Sequence, residues 1–122
     1  MDKAQALHTF WSSFGLTAYD ENAVPDNAEF PYITYSVLTD SIDYVVGLSG
    51  SLWYRSTSWQ EISQKAEEIS EYITIGGKVL PLDIGYLWLC RGTPFAQRMI
   101  DENDSLVKRI YFNLDGEFLT DK

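Results

Sequence analysis

The stretch from residue 58 to 73 narrows the possible folds of this chain more than any other. Trp59, Ile62, Ala66, Ile69 and Ile73 recur at steps of three and four, while Gln60, Glu61, Gln64, Lys65, Glu67, Glu68 and Glu71 fill the positions between them. That period predicts an amphipathic helix with one apolar stripe. A helix of this kind holds only when its stripe is packed against another surface, because propensity alone leaves a short helix marginal in water. Ser58 and Glu61 stand at the spacing of a capping box, and Glu61 and Lys65 at that of an ion pair. Gly76-Gly77 ends the helical region.

The surface that receives this helix is predicted to be a sheet. Residues 32 to 38 are rich in β-branched and aromatic side chains and follow Pro31. Ile42, Tyr44, Val46 and Leu48 alternate with Asp43, Val45, Gly47 and Ser49, and Leu52 to Arg55 resumes the extended pattern after a bend or bulge expected near Gly47 or Gly50. Residues 78–81 and 85–90 read as a hairpin about a turn at 82–84. Arg91 to Pro94 breaks the pattern, and residues 95–104 are ambiguous, with room for a short helical turn before an acidic loop. Residues 106–114 form a long final strand, with a turn expected at Asp115-Gly116. At the other end, Leu7, Phe10, Trp11 and Phe14 mark one face of a helix over residues 2–14, and Gly15 stands at its C-terminal cap. Residues 17–31, with two prolines, read as a surface loop. The sum is a single α+β domain, 1–122. It has a mainly antiparallel or mixed sheet of about four to five strands with two main helices packed on one face.

Composition then bears on function. The 122 residues hold 9 Lys and Arg against 18 Asp and Glu, a formal charge of −9. Proteins that grip nucleic-acid phosphates or anionic membranes rely on clustered cations, so both classes are disfavoured. Cys90 is the single cysteine and His8 the single histidine. An intrachain disulfide is impossible, and the pattern fits manufacture in a reducing compartment. Cys90 lies in a predicted strand and reads as a small apolar residue, and His8 as a helix-surface residue. Gly47-Leu48-Ser49-Gly50 lacks the Lys-Ser/Thr ending of a phosphate-binding loop, and no serine stands in a nucleophile elbow. The acid pairs Asp40/Asp43 and Asp101/Asp104 fall on predicted loops or polar faces; Asp101 to Asp104 lacks the twelve-residue calcium pattern. No catalytic residue, metal site or cofactor is therefore expected, nor any basic-then-apolar targeting signal. Trp53-Tyr54-Arg55 has the residue types of a base-stacking patch, but at this charge alternate core and surface positions explain it better.

Several segments together resemble the small tail-terminator, or tail-completion, proteins of long-tailed bacteriophages. They are the opening amphipathic helix, Phe30-Pro31-Tyr32-Ile33-Thr34-Tyr35, the passage from Leu52 through the capped helix to Ile73, and the closing strand from Val107 to Leu114. The family is recognised by pattern and size rather than by invariant residues. The resemblance implies a virion protein of a phage or prophage, made in the host cytoplasm and placed at the head–tail junction. It implies a homo-oligomeric ring, typically a hexamer, whose partners are the major tail protein and the head-closure protein. DNA would pass through without specific binding, and an acidic lumen would repel its phosphates. Alternatives are another head–tail connector or tail-tube component, or a stand-alone acidic DNA mimic.

On this reading Asp43, Tyr44, Val45, Val46, Leu48, Leu52 and Trp53 are candidate contacts between copies, since both faces of that predicted strand carry apolar groups. The loop from Asp20 to Glu29 is a second candidate. Asp20, Glu21, Glu67, Glu68, Glu71, Asp101 and Asp104 are candidate lumen or surface acids.

Overall fold

In the first helix, α1 (Lys3–Ser12), Asp2 and Gln5 close a capping box: the Asp2 carboxylate accepts from the Gln5 amide at 2.8 Å, and the Gln5 side-chain oxygen accepts from the Asp2 amide at 3.0 Å. The computed structural model describes residues 2–37, 45–83 and 85–119. Along the chain, α1 is followed by β1 (Thr17–Asp20), β2 (Tyr32–Tyr35), β3 (Val45–Arg55), α2 (Gln60–Ile73), β4 (Lys78–Pro81), β5 (Tyr86–Ile100) and β6 (Val107–Leu119).

The strands form one mixed sheet in the order β1-β2-β3-β6-β5-β4. Only β1 and β2 run parallel; the other neighbours are antiparallel. The domain is α+β, with six strands rather than four to five. Two differences account for the count and length of the strands. Residues 17–20, expected in a loop, pair with 32–35, and Ala18 is buried opposite Ile33. Four residues with polar ends are too short to display a period. Residues 95–100 continue β5 instead of coiling, because the break at Arg91 to Pro94 is a bulge across which the register with β6 shifts between Arg91 and Ala96.

Both helices pack on one side of the sheet, and α1 touches β1 and β4 at opposite edges, so the sheet curls around it. The helix-covered side takes the even-numbered residues of the central strands: Leu48, Leu52 and Tyr54 of β3, and Ile110, Phe112, Leu114 and Phe118 of β6, all buried. Ile62, Ile69 and Ile73 of α2 are fully buried against it, each worth roughly 1.5–3 kcal/mol of apolar burial. Trp11 and Phe10 of α1 form an aromatic wedge with Phe14 just beyond its end, which Tyr72 of α2 joins at ring distances of 5.8 Å to Phe10 and 5.2 Å to Phe14. Lys65 fastens α2 to the end of α1 by donating to the Phe14 carbonyl at 2.8 Å, and its ion-pair partner is Glu68 rather than Glu61.

The sheet glycines depart from expectation for a common reason. No bend occurs at Gly47 or Gly50, and β3 keeps one register with β6 over its length. Gly50 is small because Trp11 lies on it: an added Cβ would sit 2.5 Å from Trp11 Cζ2. Gly116 is likewise no turn. β6 runs straight through it, beneath Leu48, whose Cδ1 would be 2.7 Å from a Cβ there. The capping box at Ser58 does not form either. Helix α2 starts at Gln60, and Ser58 Oγ accepts from the Gln60 amide, with Trp59 as an N-cap lacking a side-chain bond.

Candidate functional site

The side of the sheet away from the helices is covered by neither of them. Strand alternation places on it Thr17 and Tyr19 of β1, Tyr32 and Thr34 of β2, the odd-numbered residues of β3 from Ser49 onward and of β6, and Tyr86, Trp88 and Cys90 of β5.

A ladder of aromatic rings crosses this open face. Tyr32 stacks on Trp53 with centroids 6.2 Å apart and planes inclined by 18°. Tyr19 meets Tyr32 edge-on at 5.9 Å, and Phe30 reaches the same ring at 5.2 Å. On the other flank the Arg109 guanidinium lies 4.6 Å from the Trp53 centroid and 5.3 Å from that of Tyr111. Polar atoms beneath the rings are satisfied: Trp53 Nε1 donates to Thr34 Oγ1 at 2.8 Å, and Arg109 Nε donates to Ser51 Oγ at 2.9 Å. Thr34 and Ser51 are buried as a result, although they face away from the helices. The ladder therefore gives this side of the sheet a partial cover of its own.

The cations share one pattern. Lys122 of the nine Lys and Arg lies outside the described residues, and each of the other eight is engaged within the chain. Lys3 lies over Phe118, Lys78 over Tyr72, and both Arg98 and Lys108 over Trp59. Arg91 donates to the Ser70 carbonyl at 2.6 Å and Lys108 to the Ser105 carbonyl at 2.9 Å. Between described residues the ion pairs are Arg55–Asp104 at 3.3 Å and Lys65–Glu68 at 3.1 Å. Most carboxylates consequently face water without a cationic partner drawn from the described residues.

Of the residues singled out in the sequence, Asp43 and Tyr44 lie outside the described residues, and so do the side chains of Val45 and Val46. Leu48 and Leu52 belong to the core of the chain itself, with Leu52 fully buried, so neither offers a surface contact. Their strand is central, between β2 and β6, not at an edge. Trp53 alone of the described candidates reaches the open face, where it meets Arg109. That partner is 56 residues away in sequence, and no local pattern links the two.

The candidate acids fall into three places. Glu67, Glu68 and Glu71 are exposed on α2. Asp20 closes β1 and its carboxylate accepts from the Asn22 amide at 3.0 Å, with exposed Glu21 beside it. Asp101 and Asp104 shape the β5–β6 connection: Asp101 accepts from the Asn103 amide, while Asp104 accepts from the Leu106 amide at 3.0 Å and from Arg55. The Leu106 amide above all holds the Asp104 carboxyl below the ordinary aspartate range; desolvation opposes it, and Arg55 and Lys108 add to the lowering.

His8 and Cys90 sit apart. His8 Nδ1 is 3.0 Å from Tyr35 Oη, tying α1 to β2. Cys90 is half-buried on the open face rather than in the core, and burial, followed by Asp115 and Glu117, raises its thiol pKa above the ordinary value. A raised pKa reduces the reactive thiolate. Among the described residues no group of three or more His, Cys, Asp or Glu side chains is placed to hold a metal ion, and no helix is long and apolar enough to cross a membrane. Comparison of the chain with protein-family models, with curated proteins and with solved structures finds no match.

Proposed function

We propose that this protein is a structural subunit that assembles with copies of itself into a ring, acting as a bacteriophage tail terminator at the head–tail junction. The observation that carries the reading is the placement of charge. The described cations are held against the chain's own rings, carbonyls and two carboxylates, while Glu61, Glu67, Glu68 and Glu71 of α2 and the acids of the loops are exposed. A lumen lined by such a surface repels phosphate, so DNA slides past without being held.

The sheet supports the assembly part of the proposal. It is open, and its terminal strands β1 and β4 differ, so any joining of copies through its two ends is head-to-tail; contacts of that type close into rings when the rotation permits. The neighbours in this reading are the major tail protein below and the head-closure protein above, and the role is mechanical rather than catalytic.

The test is native mass by light scattering over a concentration series, followed by electron microscopy. A discrete multiple of 14.0 kDa with ring-shaped particles is expected. A monomer at every concentration, or a ring whose lumen is basic, would refute the proposal. The exposed acid row of α2 also favours a second reading, an acidic mimic of DNA. That reading requires a monomer or dimer that competes with duplex DNA for a basic DNA-binding protein.

A further inference from the structure

The open face carries a second apolar cluster, towards its β4 edge. Val79 of β4 stands across from Trp88 of β5, and Tyr86 of β5 across from Leu119 of β6. Alternation places all four on the side away from the helices. They are 52%, 36%, 48% and 43% exposed, respectively.

Trp88 is held in place at the surface. Its Nε1 donates to the Gly76 carbonyl at 3.0 Å. Gly77, at φ +87°, leaves no room for a side chain, for a Cβ would stand 2.5 Å from that nitrogen. The indole thus has its one polar atom satisfied and its ring fixed. A preorganised aromatic of this kind binds well because little freedom remains to be lost.

Charge says what sits on it. Glu117 is the direct cross-strand neighbour of Trp88, and Asp115 that of Cys90. Neither carboxylate forms an ion pair with a described residue. The raised pKa of the Cys90 thiol, after burial, traces to these two charges, so the negative field reaches the cluster. A second copy set face to face about a two-fold axis through the cluster would bring Glu117 towards its own symmetry mate, and the described cations of that copy are already engaged on their own rings, carbonyls and carboxylates.

We propose that the Trp88 cluster is a docking surface for a different protein, one whose contact side has an apolar centre flanked by Lys or Arg. The inference does not depend on ring formation: a ring can form with this face unoccupied, and a monomer can still dock such a partner.

The probe is a synthetic peptide of alternating Leu and Lys, compared with its Leu–Glu counterpart, against the full chain labelled with ¹⁵N. The expected result is a shift of the Trp88 indole resonance and of β4 amides by the Leu–Lys peptide alone. Val79→Ser should weaken binding about tenfold, and Glu117→Gln should weaken it severalfold with a flatter salt dependence. Both positions lie on the open face rather than in the core, and thermal melts check that the variants fold. Shifts centred on the acids of α2, equal binding of both peptides, or unchanged affinity in Val79→Ser would overturn the proposal. So would a native mass that falls on Val79→Ser, because a second copy would then be the occupant.

Discussion

Gly50→Ala tests whether the contact of Trp11 on the sheet sets the spacing between α1 and β3. The added Cβ would lie 2.5 Å from Trp11 Cζ2, well inside van der Waals contact, so the ring or the strand must move. Trp11 is 1% exposed and lies among Phe10, Phe14 and Phe112, with ring distances of 4.9, 6.5 and 6.2 Å, which leaves the indole little room to retreat. Overpacking of this kind costs about 1–3 kcal/mol, while replacing a strand glycine by alanine returns roughly 0.5–1 kcal/mol through the unfolded chain. The net expectation is a loss of about 1–2 kcal/mol, or a melting temperature lower by roughly 3–10 °C for a domain of this size. Gly47→Ala is the internal control: it lies on the same strand, and nothing stands within 4 Å of the position its Cβ would take, so the variant should be neutral or more stable by up to about 1 kcal/mol. Urea unfolding followed by far-ultraviolet circular dichroism gives both numbers. If Gly50→Ala is as stable as Gly47→Ala, the close approach of Trp11 is not what requires glycine, and the account of the core fails.

Two further outcomes bear on the open face and the connection beside it. Arg109→Ala removes the guanidinium over Trp53 and the donor to buried Ser51, and should cost about 1–2 kcal/mol in urea unfolding; Arg109→Lys, which keeps the charge but not the planar stack, should recover less than half of that. The Asp104 carboxyl, held low first by the Leu106 amide and then by Arg55, should titrate below 3.8 by carbon-detected NMR. A group whose folded pKa is depressed contributes stability that is present above the ordinary value and lost as pH falls through the folded one, so the β5–β6 connection should loosen only in strong acid. Arg55→Gln should raise that midpoint without abolishing the depression, since the amide bond remains; a midpoint at or above 3.8 in the parent protein would show that the turn is not held this way.

What could be read from the sequence was whatever repeats within one element. The stripe of α2 is buried at Ile62, Ile69 and Ile73 as its period requires, and β4 and β5 pair as the expected hairpin strands. Features that depend on distant chain segments were not legible. Gly50 and Gly116 look like breakers in one dimension, yet they are small because Trp11 and Leu48 arrive from elsewhere. β1 is too short to show alternation, and its partner lies beyond an intervening connection. The bulge after Arg91 hid the second half of β5 by shifting the phase of its side chains. The open face suffered most, because pairs such as Trp53 with Arg109 and Trp88 with Glu117 exist only once register is fixed. A search for Lys or Arg matched to aromatic positions on neighbouring strands is the signal that could have found the ladder.

The way the cations are used has a consequence for salt. Apart from Arg55 and Lys65, the described Lys and Arg lie on rings or carbonyls rather than on carboxylates, so among the described residues of a chain of charge −9 there are few ion pairs for salt to weaken and much repulsion for salt to relieve. The Debye length falls from about 10 Å at 0.1 M to about 3 Å at 1 M, so repulsion between exposed acids is progressively screened. Stability should therefore rise with sodium chloride over this range, and any association between copies should strengthen with it, because contacts built from apolar groups gain when acid–acid repulsion is screened. Sedimentation velocity and thermal melts in parallel separate the two effects. A protein that loses stability or dissociates in high salt would have to rely on attractive charge pairs, and the contacts of its cations with rings and carbonyls would then have been given the wrong physical meaning.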